Sequence, residues 1–345
     1  MPRGGIDMKA AVFRSAAGGL QIEALPDPLP GPGELLLEVR KVGICGSELH
    51  AASFHAPERL EGALMGHEIC GRVAALGEGV SDFALGDRVV PLPFIGCGQC
   101  AMCLTDLSRH CPQVDYQTVR GYCQYTRAAA RGCVRVPEGI SDEAATLVEP
   151  LAVGLQGVRR AALQAGERVL VTGAGPIGLA AAFWAQALGA AEVVVLARSD
   201  RRRRIAEQMG LPLFVAGNEV DDEIEMVQSL LGGAPDIVLE AVGLPGALEQ
   251  AVNHVRPLGR VVSLGFGNQV DTLRPDLATW KDVSLAFSLC YGLRDFEHVV
   301  RVLAAGETRP LAMITSGIGL DQLPEAFAGL QAGGEDCKVI VSPWG

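Results

Sequence analysis

The strongest constraint in this sequence is the stretch from residue 168 to residue 265, where short apolar runs alternate with helical patterns. The apolar runs are typical of buried strands and occupy Arg168–Thr172 and residues 192–196, 236–241 and 260–265. An Ala-rich helical pattern ends near residue 188, and another covers residues 201–209. Strands that alternate with helices of this length form βαβ units, whose strands pair in parallel. The sequence therefore predicts an α/β domain built on a parallel sheet.

The first 150 residues have a different texture, with short apolar runs separated by turns rich in Pro and Gly. Residues 9–13 and 35–42 are typical of strands, and the Pro-rich segment 26–33 between them excludes regular structure. After about residue 290 the pattern is mixed and ends in the apolar run Lys338–Ser342. Because 345 residues suffice for two domains, we predict a β-rich first domain and an α/β second domain.

The charge and the cysteines limit the classes of partner. A formal net charge of −11 argues against a nucleic-acid or anionic-membrane surface, and no apolar run approaches the ~20 residues that cross a bilayer. Residues 1–7 do not resemble a signal peptide, so we expect a cytoplasmic protein. In that reducing compartment the ten cysteines are expected to be metal ligands and buried thiols rather than disulfides.

A glycine-rich loop follows the first strand of the α/β region, with the sequence Gly173-Ala174-Gly175-Pro176-Ile177-Gly178. In such a loop Gly173 makes the tight turn, Gly175 lets the backbone approach a pyrophosphate, and Gly178 lets the helix pack on the strand. Pro176 and Ile177 open the helix, whose N-terminus attracts anions. A turn without a ligand is the alternative, but the strand–loop–helix context predicts a dinucleotide site.

The end of the next strand indicates which dinucleotide binds. An NAD site usually has Asp or Glu there, but this sequence has Ala197. The residues that could bind a 2′-phosphate instead are Arg198, Ser199, Arg201 and Arg202. We expect Arg203 and Arg204 to be solvated. Asp200 could still bind the ribose of NAD if the strand ended later, so the sequence predicts NADP with NAD as the alternative.

Four cysteines at short spacing form a second motif: Cys97, Cys100, Cys103 and Cys111. Four thiolates suit tetrahedral Zn²⁺, and a closed site of this kind is structural. Disulfides are the alternative, which the lack of a secretory signal disfavours. We predict a zinc ion that stabilises a lobe too short to have its own core, and His110 is then surplus to a filled site.

Further metal-binding residue types lie in three segments: Cys45-Gly46-Ser47-Glu48-Leu49-His50, Gly66-His67-Glu68 and Glu149-Pro150. Cys, His and Glu all bind zinc, and a catalytic zinc keeps one position for water or substrate. Each residue alone has a simpler explanation, such as packing, surface exposure or a favourable charge at a helix N-terminus. Together with the dinucleotide loop and the four cysteines they predict a catalytic metal site.

With these motifs the chain resembles the zinc-dependent medium-chain alcohol dehydrogenases, in the branch of polyol (sorbitol and ketose reductase) and threonine dehydrogenases. The resemblance covers nearly the whole chain. It rests on C-G-S-x-x-H at 45–50, G-H-E at 66–68, the four cysteines, E-P-L-A-V at 149–153 and G-A-G-P-I-G at 173–178.

The resemblance implies roles for the residues of the open site. Those that match ligands of a catalytic zinc are Cys45, His67, Glu68 and Glu149, the last directly or through water. The two glutamates can exchange as the metal changes its coordination. Ser47 matches the hydroxyl that takes the alcohol proton, and His50 the residue that passes it through the cofactor ribose to solvent. Val153 matches the residue packed behind the nicotinamide.

The resemblance also implies a fold and a function. A GroES-like β-rich catalytic domain would comprise residues 1–155 and 291–345, a Rossmann domain residues 156–290, and the active site would lie in the cleft between them. We expect two zinc ions, NADP(H), and a secondary alcohol or ketone as substrate, polyol-like or smaller and apolar. A homodimer or homotetramer is expected through residues 283–289, which could instead be a strand buried within one subunit.

Several departures from the family pattern affect the site. Position 48 is Glu where the family usually has Asp, and that carboxylate is expected to orient a zinc ligand. The segment between His50 and Gly66 is short and apolar around Phe54. Residues 113–123 and 289–291 would also border the substrate. Two other functions remain open, a zinc-free quinone or enoyl reductase on the same fold and a non-catalytic NADPH-binding protein.

Overall fold

The computed structural model describes residues 7–15, 18–54, 60–116, 119–267 and 269–345, with only the backbone at Phe54. The strands are β1 Met8–Ser15, β2 Gly19–Leu25, β3 Glu34–Gly43, β4 Glu68–Leu76, β5 Arg88–Pro91, β6 Tyr125–Ala129, β7 Cys133–Arg135, β8 Arg168–Thr172, β9 Glu192–Ala197, β10 Phe214–Ala216, β11 Ile237–Glu240, β12 Arg260–Ser263, β13 Ser284–Phe287, β14 Ile314–Gly319 and β15 Lys338–Ser342. The helices are α1 Gly46–Phe54, α2 Ala101–Leu104, α3 Asp142–Thr146, α4 Val148–Arg160, α5 Pro176–Ala187, α6 Arg203–Gln208, α7 Glu223–Leu231, α8 Ala247–His254, α9 Pro275–Trp280, α10 Leu293–Ala304 and α11 Leu323–Gln331.

The chain divides into two units. The first comprises Met1–Glu149, Tyr291–Glu307 and Ile314–Gly345, and the second Pro150–Cys290 and Thr308–Met313. These bounds differ in two places from the predicted 1–155, 156–290 and 291–345. Most of α4 belongs to the second unit, where the Trp184 indole donates to the Leu151 carbonyl at 2.8 Å. Residues 308–313 also belong there, because Arg309 donates to Gln186 at 3.0 Å.

The first unit is built on antiparallel strands. Its main sheet has the order β14-β15-β3-β4-β5-β7, with β6 also paired to β3, while β1 and β2 form a separate pair. The strand β3 is central because its apolar side chains are buried, with Leu35, Leu37 and Val39 fully inaccessible. Its last residue, Gly43, lies opposite Glu68 of β4 and Ile340 of β15. This register brings three distant segments together where β3 ends.

The second unit has a six-stranded sheet in the order β10-β9-β8-β11-β12-β13, and every neighbouring pair is parallel. In chain order this is 3-2-1-4-5-6, the order of doubly wound dinucleotide-binding folds. Residues 169–171 of the central strand β8 are fully buried, as expected for a strand covered on both faces. The predicted β-rich and α/β architecture is confirmed. Among the described residues, no helix is both long and apolar enough to cross a membrane.

A buried histidine in the second unit predicts acid sensitivity. His254 ends α8 and is 2% exposed, and its Nδ1 has no hydrogen-bond partner among the described residues. Burial, assisted by the nearby Lys281 ammonium, lowers the pKa of His254 from 6.5 to about 4. The unfolded chain therefore binds this proton first as the pH falls. We expect neutral His254 to make its full contribution to the free energy of unfolding above pH 6.5. About 3 kcal/mol of that free energy should be lost by pH 4.

The measurement is urea unfolding of the wild type and His254→Gln between pH 7.5 and pH 4. The variant lacks the titrating group. The difference in unfolding free energy between the wild type and the variant should therefore change by about 3 kcal/mol between pH 6.5 and pH 4. Curves that stay parallel would contradict the prediction.

Candidate active site and metal centres

The end of β3 and the start of β4 bring together three side chains that can bind a metal. One ligand atom each of Cys45, His67 and Glu68 lies within 4.8 Å of the other two. Cys45 and Glu68 are buried, and the Ile44 backbone between Gly43 and Cys45 donates to the Val339 carbonyl of β15 at 3.0 Å. A thiolate, an imidazole and a carboxylate are a donor set of catalytic zinc sites, with one position left open. The residues therefore fit a catalytic zinc ion.

Glu48 orients the imidazole of His67. Its Oε1 lies 2.8 Å from His67 Nδ1 and accepts the Gly66 N–H at 2.6 Å, while its Oε2 accepts the Tyr122 hydroxyl. Burial opposes a charge on Glu48, but His67 and these hydrogen bonds hold the pKa of Glu48 below its usual value. The carboxylate keeps the Nδ1 proton directed at itself, which leaves Nε2 for a metal. Glu48 thus contacts His67 and is itself held by Tyr122, a partner that the sequence did not indicate.

Lys338 is a second partner that the sequence did not indicate. Its Nζ donates to both carboxylate oxygens of Glu68, at 2.6 and 2.7 Å, and to the Ile44 carbonyl at 3.0 Å. Glu68 and Lys338 are both essentially inaccessible to solvent. Each charge is therefore paired inside the core, as buried charges must be.

Glu149 lies near this group but is not part of the three-residue cluster. It is buried at the start of α4, and its Oε1 accepts the Tyr291 hydroxyl at 2.6 Å. Its Oε2 has no hydrogen-bond partner among the described residues. Burial raises the pKa of Glu149, and the Glu68 carboxylate adds to the rise while His67 opposes it. The structure thus places Glu68 among the candidate ligands and leaves Glu149 with one unpartnered oxygen beside them.

The two predicted proton-transfer residues lie on α1, directly after Cys45. The Ser47 hydroxyl is 3.2 Å from Cys45 Sγ, and His50 is exposed one turn further along the helix. The residues predicted to border the substrate are less informative. The Phe54 side chain and residues 117–118 lie outside the described residues. Tyr291 is fully buried and holds Glu149, so it supports the site rather than forming an accessible wall.

The four cysteines 97, 100, 103 and 111 form a compact cluster. Cys100 Sγ lies 3.6 Å from Cys103 Sγ and 3.7 Å from Cys111 Sγ, and Cys97 Sγ lies 4.0 Å from Cys103 Sγ. A tetrahedron with metal–sulfur bonds of ~2.3 Å has edges of about 3.8 Å. Backbone N–H groups directed at sulfur lower the pKa of Cys97 to about 6, while burial raises the pKa of Cys103 to about 11. None of the ten cysteines, all of them among the described residues, forms a disulfide, and these four fit a structural zinc ion.

The four-cysteine lobe also caps a helix. Asp106 lies between Cys103 and Cys111, and its carboxylate accepts the N–H groups of Leu293 at 2.8 Å and Arg294 at 3.1 Å. These N–H groups begin α10 and have no partner within the helix. The lobe therefore stabilises the start of α10, two residues after Tyr291.

The glycine loop of the second unit follows β8. Gly173 has φ of 94°, a conformation that side chains disfavour. A Cβ on Gly178 would lie 1.9 Å from the Gly173 carbonyl oxygen, so only glycine allows α5 to approach the loop. Gly175 precedes α5, and Pro176 and Ile177 lie in the first turn of this helix. A Cβ on Gly175 would meet nothing within 4 Å. The loop leaves a helix N-terminus open to an anion.

The strand β9 ends at Ala197, and no acidic side chain occupies that position. Arg198 is exposed, and its guanidinium has no partner among the described residues. Ser199 and Arg202 are half-buried in the turn that follows. Arg203 has a structural role instead, because it contacts Glu219 and the ring of Phe214. Val153 is half-buried on α4.

Comparison with known families agrees with this geometry. Residues 31–138 match the model of the alcohol dehydrogenase GroES-like domain, and residues 176–305 match that of zinc-binding dehydrogenases. L-galactonate-5-dehydrogenase of Escherichia coli K12 is 33% identical over 87% of this chain and 88% of its own length. L-threonine 3-dehydrogenase of Pyrococcus horikoshii is 33% identical over 94% and 95%, and sorbitol dehydrogenase of Bacillus subtilis is 31% identical over 98% of each chain.

Solved structures show the same fold over nearly the whole chain. The 2R,3R-butanediol dehydrogenase of Bacillus subtilis has a TM-score of 0.86 at 28% identity and covers 97% of this chain and 99% of its own. A zinc-binding dehydrogenase of Sinorhizobium meliloti bound to NADP has a TM-score of 0.86 at 27% identity, over 98% and 99%. The chain therefore belongs to the zinc-dependent medium-chain alcohol dehydrogenases, in their polyol and threonine dehydrogenase-like branch, which transfer a hydride between a nicotinamide cofactor and an alcohol.

Proposed function

We propose that this protein is an NADP-preferring dehydrogenase or reductase of a secondary alcohol or ketone, with one catalytic and one structural zinc ion per chain. The observation that carries the proposal is the cluster of Cys45, His67 and Glu68, with only His67 half-buried, in a chain whose strand β9 ends at Ala197 and is followed by Arg198. A zinc-free reductase would not need that donor set, and a non-catalytic protein would not need Ser47 beside it.

Residues of the first unit would bind the zinc ion and transfer the proton. A bound zinc ion supplies Lewis acidity, which lowers the pKa of an alcohol or polarises a carbonyl. Cys45, His67 and Glu68 would hold it, with His67 oriented by Glu48. The Ser47 hydroxyl would accept the alcohol proton during oxidation, and His50 would pass it towards solvent.

The residues of the second unit bind the cofactor, which supplies or accepts the hydride. The glycine loop and the N-terminus of α5 would bind the pyrophosphate. Arg198, with Ser199 and Arg202, would bind the 2′-phosphate, since a guanidinium can donate two parallel hydrogen bonds to it. With Ala197 at the strand end, no carboxylate repels that phosphate.

The relatives support a substrate class. L-galactonate, sorbitol, threonine and 2,3-butanediol all carry a polar substituent beside a secondary hydroxyl. We therefore favour a polyol-like substrate, with a smaller apolar alcohol as the alternative. We further propose a reducing cytoplasm as the compartment, where cysteines remain thiols or bind metal.

Metal analysis and a substrate screen test the proposal. We expect about two zinc ions per chain, and NADPH-linked turnover in absorbance assays with secondary alcohols or ketones that carry a neighbouring polar group. NADPH oxidation with quinones or enoyl substrates but not with ketones would favour the zinc-free chemistry. Tight NADPH binding without turnover of any carbonyl substrate would favour a non-catalytic protein.

An edge strand supports a homodimer or homotetramer. The strand β13 pairs with β12 on one side and ends the sheet, and Leu285 and Phe287 are exposed along it. Exposed apolar edge strands are templates for pairing with another chain. We expect Leu285→Lys to convert the wild-type oligomer to a monomer in size-exclusion chromatography with light scattering. Met226→Lys, an exposed site on α7, should leave it unchanged, and an oligomeric Leu285→Lys would contradict this interface.

A further inference from the structure

The ammonium of Lys338 is in an unusual place for a positive charge. It lies in the core of the first unit, 1% exposed, and is held by three hydrogen bonds. Two of these go to Glu68, a side chain in the candidate zinc cluster. Lys338 begins the strand β15, and β15 brings the ammonium to the cluster because it pairs with the end of β3. A cation fixed at a candidate metal ligand affects how strongly that ligand can hold a metal.

Glu68 would therefore have two positively charged partners, the Lys338 ammonium and the zinc ion. Each carboxylate oxygen can accept more than one interaction, so Glu68 can contact Lys338 and a metal at the same time. The ammonium neutralises part of the charge that the carboxylate would offer to Zn²⁺, and it repels the ion itself. Glu149 differs, because its hydrogen-bond donor is the neutral Tyr291 hydroxyl. The Lys338 charge also attracts Glu149, but the hydrogen bonds that Lys338 donates to a carboxylate go to Glu68.

We propose that Lys338 is a positioning residue that weakens the bond between Glu68 and the catalytic zinc ion. Glu68 then remains an exchangeable ligand, so that a coordination position can open for the substrate. The inference rests on the proposed function, since it concerns the same zinc site. The positive charge of Lys338, rather than its hydrogen bonds alone, would then decide how strongly Glu68 binds the zinc ion.

Two substitutions separate charge from hydrogen bonding. Lys338→Gln keeps a donor at the Glu68 carboxylate and removes the charge, whereas Lys338→Arg keeps the charge. Zinc release from the purified protein into excess chelator is followed with a colorimetric indicator. The phase that belongs to the catalytic site is identified as the one absent from Cys45→Ser.

We expect Lys338→Gln to release the catalytic zinc about tenfold more slowly than the wild type and to have a lower kcat. Lys338→Arg should release it within about twofold of the wild-type rate. In a Glu68→Gln background, Lys338→Gln should slow zinc release clearly less than it does in the wild type, since only the direct repulsion between the ammonium and the ion is then removed. If apo Lys338→Gln is unstable, saturating zinc should restore its folding, because the metal replaces the ammonium as the partner of Glu68.

Faster release from Lys338→Gln would overturn the proposal and leave Lys338 as a residue that merely orients Glu68. An equal slowing in the Glu68→Gln background, or a variant that cannot fold even with saturating zinc, would overturn it as well. A wild-type protein with no zinc beyond the four-cysteine site would instead contradict the proposed function.

Discussion

Replacing Cys45 with Ser should remove one of two zinc ions per chain and lower kcat by about a thousandfold or more. Serine is a poor zinc ligand in place of a thiolate, and the metal contributes several kcal/mol to the stabilisation of developing charge. Since each 1.36 kcal/mol changes a rate tenfold, this loss corresponds to about three orders of magnitude. Cofactor affinity should stay within about twofold, because the glycine loop belongs to the other unit.

Cys337→Ser is the matched control. Cys337 is as buried as Cys45 but belongs to neither metal cluster, so this variant should keep both zinc ions and its turnover. The measurements are zinc per chain by elemental analysis, kcat with the best substrate of the screen, and NADPH affinity by fluorescence titration. If Cys45→Ser retained wild-type turnover, the catalytic metal site would be wrongly assigned.

Replacing Arg198 with Ala should weaken NADP binding by about 10- to 100-fold while changing NAD binding by less than about threefold. A hydrogen bond to a charged group contributes about 1.5–3 kcal/mol, and about 1.4 kcal/mol changes an affinity tenfold. NAD lacks the 2′-phosphate, so it loses no such contact. The side chain of Arg198 has no partner among the described residues, so its removal should not disturb the fold.

Calorimetric titration of both dinucleotides measures this difference, with Arg204→Ala as the control. Arg204 is exposed on α6 and was predicted to be solvated, so its loss should change neither affinity. An equal loss of NADP and NAD binding by Arg198→Ala would contradict the 2′-phosphate site and favour a general structural role.

The sequence predicted the second unit well because its signals are local. Buried strands of a parallel sheet are short apolar runs, and β8 has the predicted bounds Arg168–Thr172. Element ends were less accurate: the helical apolar pattern of residues 151–163 predicts a helix that starts at Leu151, but α4 starts at Val148. Glu149 and Pro150 lie in its first turn, where proline is tolerated because its missing N–H would have no partner there. Residues 200–202 form a separate 3₁₀ turn before α6 rather than part of one helix.

By itself, the sequence determined the types of residue at both metal clusters and at the glycine loop, since spacing along the chain carries that information. Only the tertiary structure decided which groups control them. Tyr122 reaches Glu48 across 74 positions, Tyr291 reaches Glu149 across 142, and Lys338 reaches Glu68 across 270. These contacts depend on strand register and on how the C-terminal segments return to the first unit, and a shift of one residue would turn each strand side chain to the opposite face. The environment that orients His67 and pairs Glu68 with a cation is therefore a property of the folded first unit.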